Sequence, residues 1–317
     1  MIIRKRTYPI VLKKYEALLR RLPPTFHQIS DVEAAFRKQL KGYHGELLVD
    51  RQTDRLKDRS TILYNVQLQF RGNSFQMDTI VITTYAVYII EIKNFDGILT
   101  FDTFFDQLIR YNGSKEEGFR SPITQATTQA NLLKQWLHKH DYIDIPIYSF
   151  IAISRPSTVI KVDGDKNKIR ETVMHAEFIP QKISEYERIF KNKDFTPLAH
   201  AQIGKIIAEK SMTFDKDILA VHNINKKWIL SGVQCSDCNN LKLQRVHGNW
   251  HCEPCRKKWR YAHRQAIKDY FLLIQPYITN KTCREFLHVS SRFTANRILQ
   301  SMNLIFDEKD KLWKLPN

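Results

Sequence analysis

Residues 61 to 94 change hydrophobic period sharply. The segment "TILYNVQLQF" alternates with the period of two expected of a strand, "RGNS" supplies a turn, and "FQMDTIVIT" and "AVYIIEIKN" read as two further strands. Upstream, "VEAAFRKQLKGYHGELLVDRQTDRL" has helical spacing, with a helix expected to start near Asp31 and core contacts at Leu47, Val49 and Leu56. Downstream lies a weakly patterned stretch, after which "SPITQATTQANLLKQWLHKH" predicts a helix with Ser121 as N-cap and Pro122 in the first helical position. "IPIYSFIAIS" returns to strand. The order over residues 31–154 is therefore α-β-β-β-α-β, an α/β class, with a further strand and two helices expected between "ETVMHAEFI" and "IGKIIAEKSM".

The central pair of strands carries charge where it should not. If they form a hairpin around Thr84 and Tyr85, Thr83 opposes Ala86 and Asp78 falls opposite Glu91. Lys93, two residues beyond Glu91, shares their face. The strands are apolar on both sides, with Ile80, Ile82, Val87 and Ile89 on one face and Val81, Tyr88, Ile90 and Ile92 on the other, as in strands covered by two layers. Two opposed, partly desolvated carboxylates repel unless a cation lies between them. Hard oxygen donors suit Mg²⁺ or Mn²⁺, held by Asp78, Glu91 and the backbone carbonyl of Ile92. Lys93 is then placed to orient or deprotonate water and to offset developing negative charge, which describes phosphodiester hydrolysis.

Three blocks, "GYHGELLVDRQTDRL", "FQMDTIVITTYAVYIIEIKNFDG" and "SPITQATTQANLL", together resemble the nuclease-related domain (NERD) family of the PD-(D/E)XK restriction-endonuclease-like superfamily. The resemblance spans about residues 37–140. It implies a restriction-endonuclease-like core, a mixed sheet flanked by helices. It also adds Glu46, a helical acid near the metal, and Gln125, with Gln129 one turn later on the same helical face. Met77 stands where the superfamily motif has proline.

The 317 residues carry 50 Lys or Arg against 33 Asp or Glu, a formal net charge of +17, so the long-range field attracts polyanions. No apolar run is long enough for a membrane span, and the basic N-terminus lacks a secretory core; a soluble, cytoplasmic protein is expected, with a homo-oligomer left open. From Ala220 onward 17 basic residues face 7 acidic ones, marking a separate binding region. There Cys235, Cys238, Cys252 and Cys255 form two C-x-x-C pairs separated by 13 residues, the spacing of a zinc ribbon closed around a structural Zn²⁺. Cys283 reads as a buried helix residue. "RKKWRYAHR" interleaves aromatic and basic residues as phosphate contact with stacking requires.

"TNKTCREFLHVSSRFTANRILQSMNLIF" has helix-turn-helix character, with Thr282 as the expected cap of its first helix and Ala295, Ile298 and Met302 at core spacing in its second. Ser291, Arg292, Thr294, Asn296 and Arg297 would line a DNA-reading helix, followed by a wing-like hairpin. The expected organisation is a basic lead-in over 1–30, a nuclease-like domain over 31–215, a zinc ribbon over 228–262 and a helix-turn-helix or winged-helix module over 263–317. The expected function is Mg²⁺-dependent DNA hydrolysis. The alternative is a non-catalytic DNA-binding or regulatory protein that keeps the nuclease-like domain as scaffold.

Overall fold

A computed structural model describes residues 1–192, 196–213 and 215–316. The chain divides into two compact units, the first made of Met1–Thr7 with Gln39–Phe214, the second of Tyr8–Lys38 with Asp215–Asn317. In chain order the elements begin with β1 (Ile2–Arg4), α1 (Ile10–Arg21) and α2 (Ile29–Thr53), then β2 (Thr61–Phe70), β3 (Asn73–Ile82) and β4 (Val87–Lys93). Next come β5 (Ile98–Asp102), β6 (Gln107–Tyr111), β7 (Glu116–Arg120), α3 (Pro122–Lys139), β8 (Ile147–Ile153) and β9 (Val159–Asp163). The first unit ends with α4 (Lys166–Arg170), β10 (Val173–His175), α5 (Ile179–Lys191) and α6 (His200–Lys210). The second continues with α7 (Ile218–Val221), β11 (Gln244–Val246), β12 (Asn249–Cys252), β13 (Lys257–Trp259) and α8 (His263–Leu273). It closes with β14 (Tyr277–Thr279), α9 (Asn280–Leu287), α10 (Arg292–Gln300), β15 (Ile305–Asp307) and β16 (Leu312–Lys314).

The first unit is built on a six-stranded mixed sheet of order β1-β2-β3-β4-β8-β10. β2, β3 and β4 run antiparallel in turn, while β1, β8 and β10 join parallel to their neighbours. The α-β-β-β-α-β order holds for α2, β2, β3, β4, α3 and β8. The two-sided apolar pattern has its explanation in the packing. Ile80, Ile82, Val87 and Ile89 pack with Leu133 and Trp136 of α3 and with Ile203 and Ile207 of α6. Val81, Tyr88, Ile90 and Ile92 pack on the other side with Val49 of α2 and Ile183 of α5. Ser121 caps α3 by accepting from the Thr124 N–H at 3.5 Å.

Several features differ from the sequence expectation. The weakly patterned stretch after β4 forms β5, β6 and β7, which pair with β9 in a second sheet of order β7-β6-β5-β9. Its outer strands are largely exposed, as in the intermediate-and-exposed alternation of Glu116–Arg120, so few apolar positions advertise them. The lead-in is also structured: Ile2–Arg4 is an edge strand of the main sheet, and α1 buries Tyr15, Ala17 and Leu18 in the core of the second unit.

In that second unit β11, β12 and β13 form a small antiparallel sheet, and β14, β16 and β15 form another behind α9 and α10. Their shared core contains Trp250, Ile267, Ile278, Leu287 and Leu299. Thr279, not Thr282, is the N-cap of α9; Thr282 sits three residues on and completes a capping box with it. Met302 lies just beyond α10. Beside this core Arg21 and Asp269, each only 1% exposed at the side chain, pair at 2.9 Å. Arg21 also donates to the Gly232 carbonyl at 2.6 Å, while Asp269 accepts from Arg20 at 2.8 Å and Gln265 at 2.9 Å. Removing one partner of such a pair leaves a buried charge uncompensated. Asp269→Ala is accordingly expected to destabilise the second unit by about 3–5 kcal/mol, read as a lower denaturant midpoint in tryptophan emission.

Candidate active site

The hairpin register follows directly from the turn. Thr83 N–H donates to the Ala86 carbonyl at 2.9 Å, and Ile82 pairs Val87, Ile80 pairs Ile89 and Thr79 pairs Ile90. One step further on, the ladder gives way to side chains. The Ile92 N–H is bonded by Asp78 Oδ2 at 2.9 Å, and the Asp78 carbonyl accepts from Arg6 Nη2 at 2.9 Å. On the β2 side, Tyr64 pairs Thr79 and Val66 pairs Met77, but Asn65 between them has a left-handed backbone, φ 51°. The sheet is thus opened locally at Asp78.

The predicted hairpin residues come together here. Lys93 Nζ donates to Glu91 Oε1 at 2.7 Å and lies 3.3 Å from Gln125 Oε1. Gln125 Nε2 donates to the same Glu91 oxygen at 2.8 Å. Gln129, only 7% exposed, donates to Glu91 Oε2 at 3.2 Å and to the Gln76 carbonyl at 2.7 Å, leaving its own Oε1 buried without a partner. Gln125 and Gln129 therefore present one face of α3 to Glu91, an interaction their i, i+4 spacing permits. Glu91 itself is 4% exposed.

Glu46 approaches from α2, and the glycine before it permits this: a Cβ added at Gly45 would collide with the Asn94 side chain, just after β4. Its carboxylate pairs with Arg6 Nη1 at 2.6 Å. Arg6 also bonds Asp50 at 2.7 and 3.0 Å and approaches Thr79 Oγ1 at 3.3 Å. Arg6 and Asp50 were not apparent as site residues in the sequence. Arg6 lies 72 positions before Asp78 and belongs to no motif, so only the edge strand β1 brings it in.

Burial dominates the electrostatics. It pushes the Asp78 carboxyl well above the usual range, with further contributions from the charges of Glu91 and Glu46, and these outweigh the Ile92 N–H and Lys93. Glu46 is raised too, first by burial; Arg6 opposes the shift, whereas Asp50 and Glu91 add to it. Burial works against the charge of Arg6, but the carboxylates of Asp50 and Glu46 more than offset it. The region is an acidic nest with one embedded guanidinium and one ammonium, and its hard oxygen donors are of the type that holds a small divalent ion.

Another donor group lies in the second unit. The thiol sulfurs of Cys235, Cys238, Cys252 and Cys255 all fall within 4.8 Å of one another, with Cys238 and Cys252 at 3.5 Å. Tetrahedral Zn–S bonds of about 2.3 Å would set sulfurs about 3.8 Å apart, so these four could hold a metal such as zinc. Among the described residues this is the sole set of three or more His, Cys, Asp or Glu side chains gathered so closely, so the acids of the hairpin and α2 are not drawn together to that degree. Burial raises the Cys235 thiol, but the N–H groups of Cys238 and Asp237 prevail and bring it down to about 7. Cys283 is buried in α9, and burial pushes its thiol up to about 12.

In α10 the predicted residues divide. Arg292 and Arg297 are exposed; Ser291 is the N-cap, accepting from Thr294 N–H at 3.2 Å; Asn296 is tied to Asn280 at 2.6 Å. Thr294 is half-buried. The sequence reading passed over Phe293, which is 80% exposed between these polar positions.

Residues 41–154 match the family model described as NERD, nuclease-related domain. The matched stretch contains Glu46, Asp78, Glu91, Lys93 and Gln125. Among curated proteins none matches the chain. Among solved structures, that of protein VC1899 from Vibrio cholerae aligns at 12% identity and a TM-score of 0.26, covering 53% of this chain and 37% of that one. The chain thus spans little more than a third of that protein, and a likeness at this score carries no structural argument. No helix among the described residues is long and apolar enough to cross a membrane.

Two outcomes follow from these electrostatics. A folded carboxyl whose pKa is raised binds its proton more tightly than the unfolded chain does, so stability falls as pH rises from the ordinary carboxylate value, about 4, through the raised one. Without divalent cations the first unit is expected to lose stability in that direction. Asp78→Asn, which still offers an oxygen to Ile92, should reduce the slope and add roughly 1 kcal/mol at neutral pH, as thermal melts across pH 4 to 8 would show. Removal of thiolate-bound zinc by a strong chelator is expected to unfold β11–β13, seen as loss of tryptophan emission structure with release of one zinc per chain.

Proposed function

We propose that this protein is a divalent-metal-dependent nuclease that hydrolyses DNA phosphodiester bonds. The observation that supports this best is the opening of the ladder at Asp78, which sets its buried carboxylate on the Ile92 N–H, next in the chain to a Glu91 held by Lys93 and Gln125. In this reading Asp78, Glu91 and the Ile92 carbonyl hold Mg²⁺ or Mn²⁺, whose Lewis acidity supplies phosphate polarisation and water activation. Lys93 takes or shares the proton of the attacking water and stabilises charge building on the phosphoryl oxygens. The water oxygen bonds to phosphorus, the bond to the leaving strand oxygen breaks, and that oxygen acquires a proton. Gln125 and Gln129 fix Glu91. Glu46 stands by on α2, and Arg6 is its counter-charge when no metal is bound.

The second unit would bring the enzyme to DNA. Four thiolates around Zn²⁺ leave no open coordination position, so the zinc is structural. The succession α8-β14-α9-α10-β15-β16 fits a winged helix, with Arg292, Phe293 and Arg297 of α10 facing outward to read a groove and β15–β16 as the wing.

Asp78→Ala and Lys93→Ala are each expected to lower Mg²⁺-dependent cleavage of plasmid and oligonucleotide DNA at least about 100-fold, with DNA affinity held within a few-fold. Undiminished cleavage would overturn the site assignment. Absence of cleavage by the parent protein with Mg²⁺ or Mn²⁺, with DNA binding intact, would favour a regulatory DNA-binding protein that uses this domain as scaffold.

A further inference from the structure

Within the second unit, the residues that follow the thiol cluster line a cleft of about 580 Å³ whose walls include Arg20, Trp259, Arg260, Tyr261, Arg264 and Lys268. No Asp or Glu lines it. Three features make it electrostatically unsettled. Arg264 and Lys268 stand one turn apart on α8, a like-charge spacing that destabilises a helix. Arg260 and Arg264 flank the start of α8, the positive end of its dipole, where an acid would be favourable; its first turn has none and its cap residue, Ala262, offers no side-chain acceptor. Arg20 is matched by Asp269, but no ion pair within 4 Å is seen for Arg260, Arg264 or Lys268 among the described residues.

Positive charge is therefore gathered where the protein supplies no carboxylate. One further detail bears on what would complete it. Tyr261 carries Arg264 over its ring at 4.2 Å and Arg260 at 5.4 Å, so both guanidinium groups are braced before any ligand arrives. Cys235 also lines the cleft, so a zinc–tetrathiolate centre there, negative overall, would offset part of this charge.

We infer that this cleft binds a phosphate monoester carried by a nucleotide, a site separate from both α10 and the acidic hairpin. An internal phosphodiester offers two free oxygens and one negative charge. A terminal phosphate offers three oxygens and nearly two charges at neutral pH, a better match to two arginine forks and one ammonium gathered at one concavity. The same chemistry is presented by the end of a nucleic-acid strand and by a free nucleotide. The inference does not depend on hydrolysis at Asp78.

The test uses the full-length, zinc-loaded Asp78→Ala protein without added divalent cation, so that any cleavage is absent and binding alone is read. Calorimetric titration compares an oligothymidylate bearing a 5′- or a 3′-phosphate with its hydroxyl-ended twin, and thymidine monophosphate is added as competitor. A phosphorylated strand is expected to bind at least tenfold more tightly than the hydroxyl-ended one, and Arg264→Gln combined with Lys268→Gln should abolish that difference while zinc content and circular dichroism stay unchanged. Competition by the mononucleotide would identify a free nucleotide as sufficient, and its failure would identify a strand end. Equal binding of phosphorylated and hydroxyl-ended strands, or a preference that survives the double substitution in the folded protein, would overturn the inference. A double variant that has lost its zinc is replaced by Arg260→Gln, which lies outside the helix and is held to the same criterion.

Discussion

An ionised carboxylate inside an apolar sheet must find positive charge or give up its own, and the first unit is organised around that constraint. Asp78 and Glu91 sit within β3 and β4 where the pairing of the two strands stops, beside side chains that fill two hydrophobic layers. Burial and mutual repulsion raise Asp78, and three cationic or amide groups, Lys93, Gln125 and Gln129, are drawn onto Glu91. Arg6 meets the remaining acids from the far edge of the sheet. The edge strand β1, the close approach of α2 at Gly45 and the docking of α3 all serve to place these groups. Each belongs to an element fixed by hydrophobic burial, which is the larger force.

The second unit solves a different problem. Its strands β11 to β16 are three or four residues long, too short to hold together by ladder hydrogen bonds alone. The four-thiol cluster at one end, the buried Arg21–Asp269 pair and the core around Trp250 divide that task. Its surface, by contrast, is left rich in unmatched cations, on α8 and on α10. That distribution suits contact with phosphate groups at more than one place.

Legibility depended on how local the determining interaction was. The β3–β4 register could be counted from a two-residue turn and holds as far as Thr79 and Ile90; one step on, where the count sets Asp78 opposite Glu91, the ladder has ended and Asp78 accepts from the Ile92 N–H. The Ser121 cap and the two C-x-x-C pairs are similarly short-range. Strands β5 to β7 escaped because half-exposed strands lack a strong alternation. The α9 cap was misplaced by three residues because Thr279 and Thr282 bond each other, and either could be read as the cap. Phe293 was overlooked because a phenyl within a helical pattern reads as core, and here the three-dimensional packing leaves it outside.

The sequence by itself determined the alternation of the central strands, their pairing from the turn and the thiol spacing, since each is set by backbone geometry over a few residues. Only the tertiary structure decided that Arg6 closes the acidic nest, that Gln129 is buried against Glu91 and that α8 leads its basic residues into a cleft. Those contacts join segments tens of residues apart, and what brings them together is the burial of apolar surface elsewhere on the same elements, not any preference of the residues that meet.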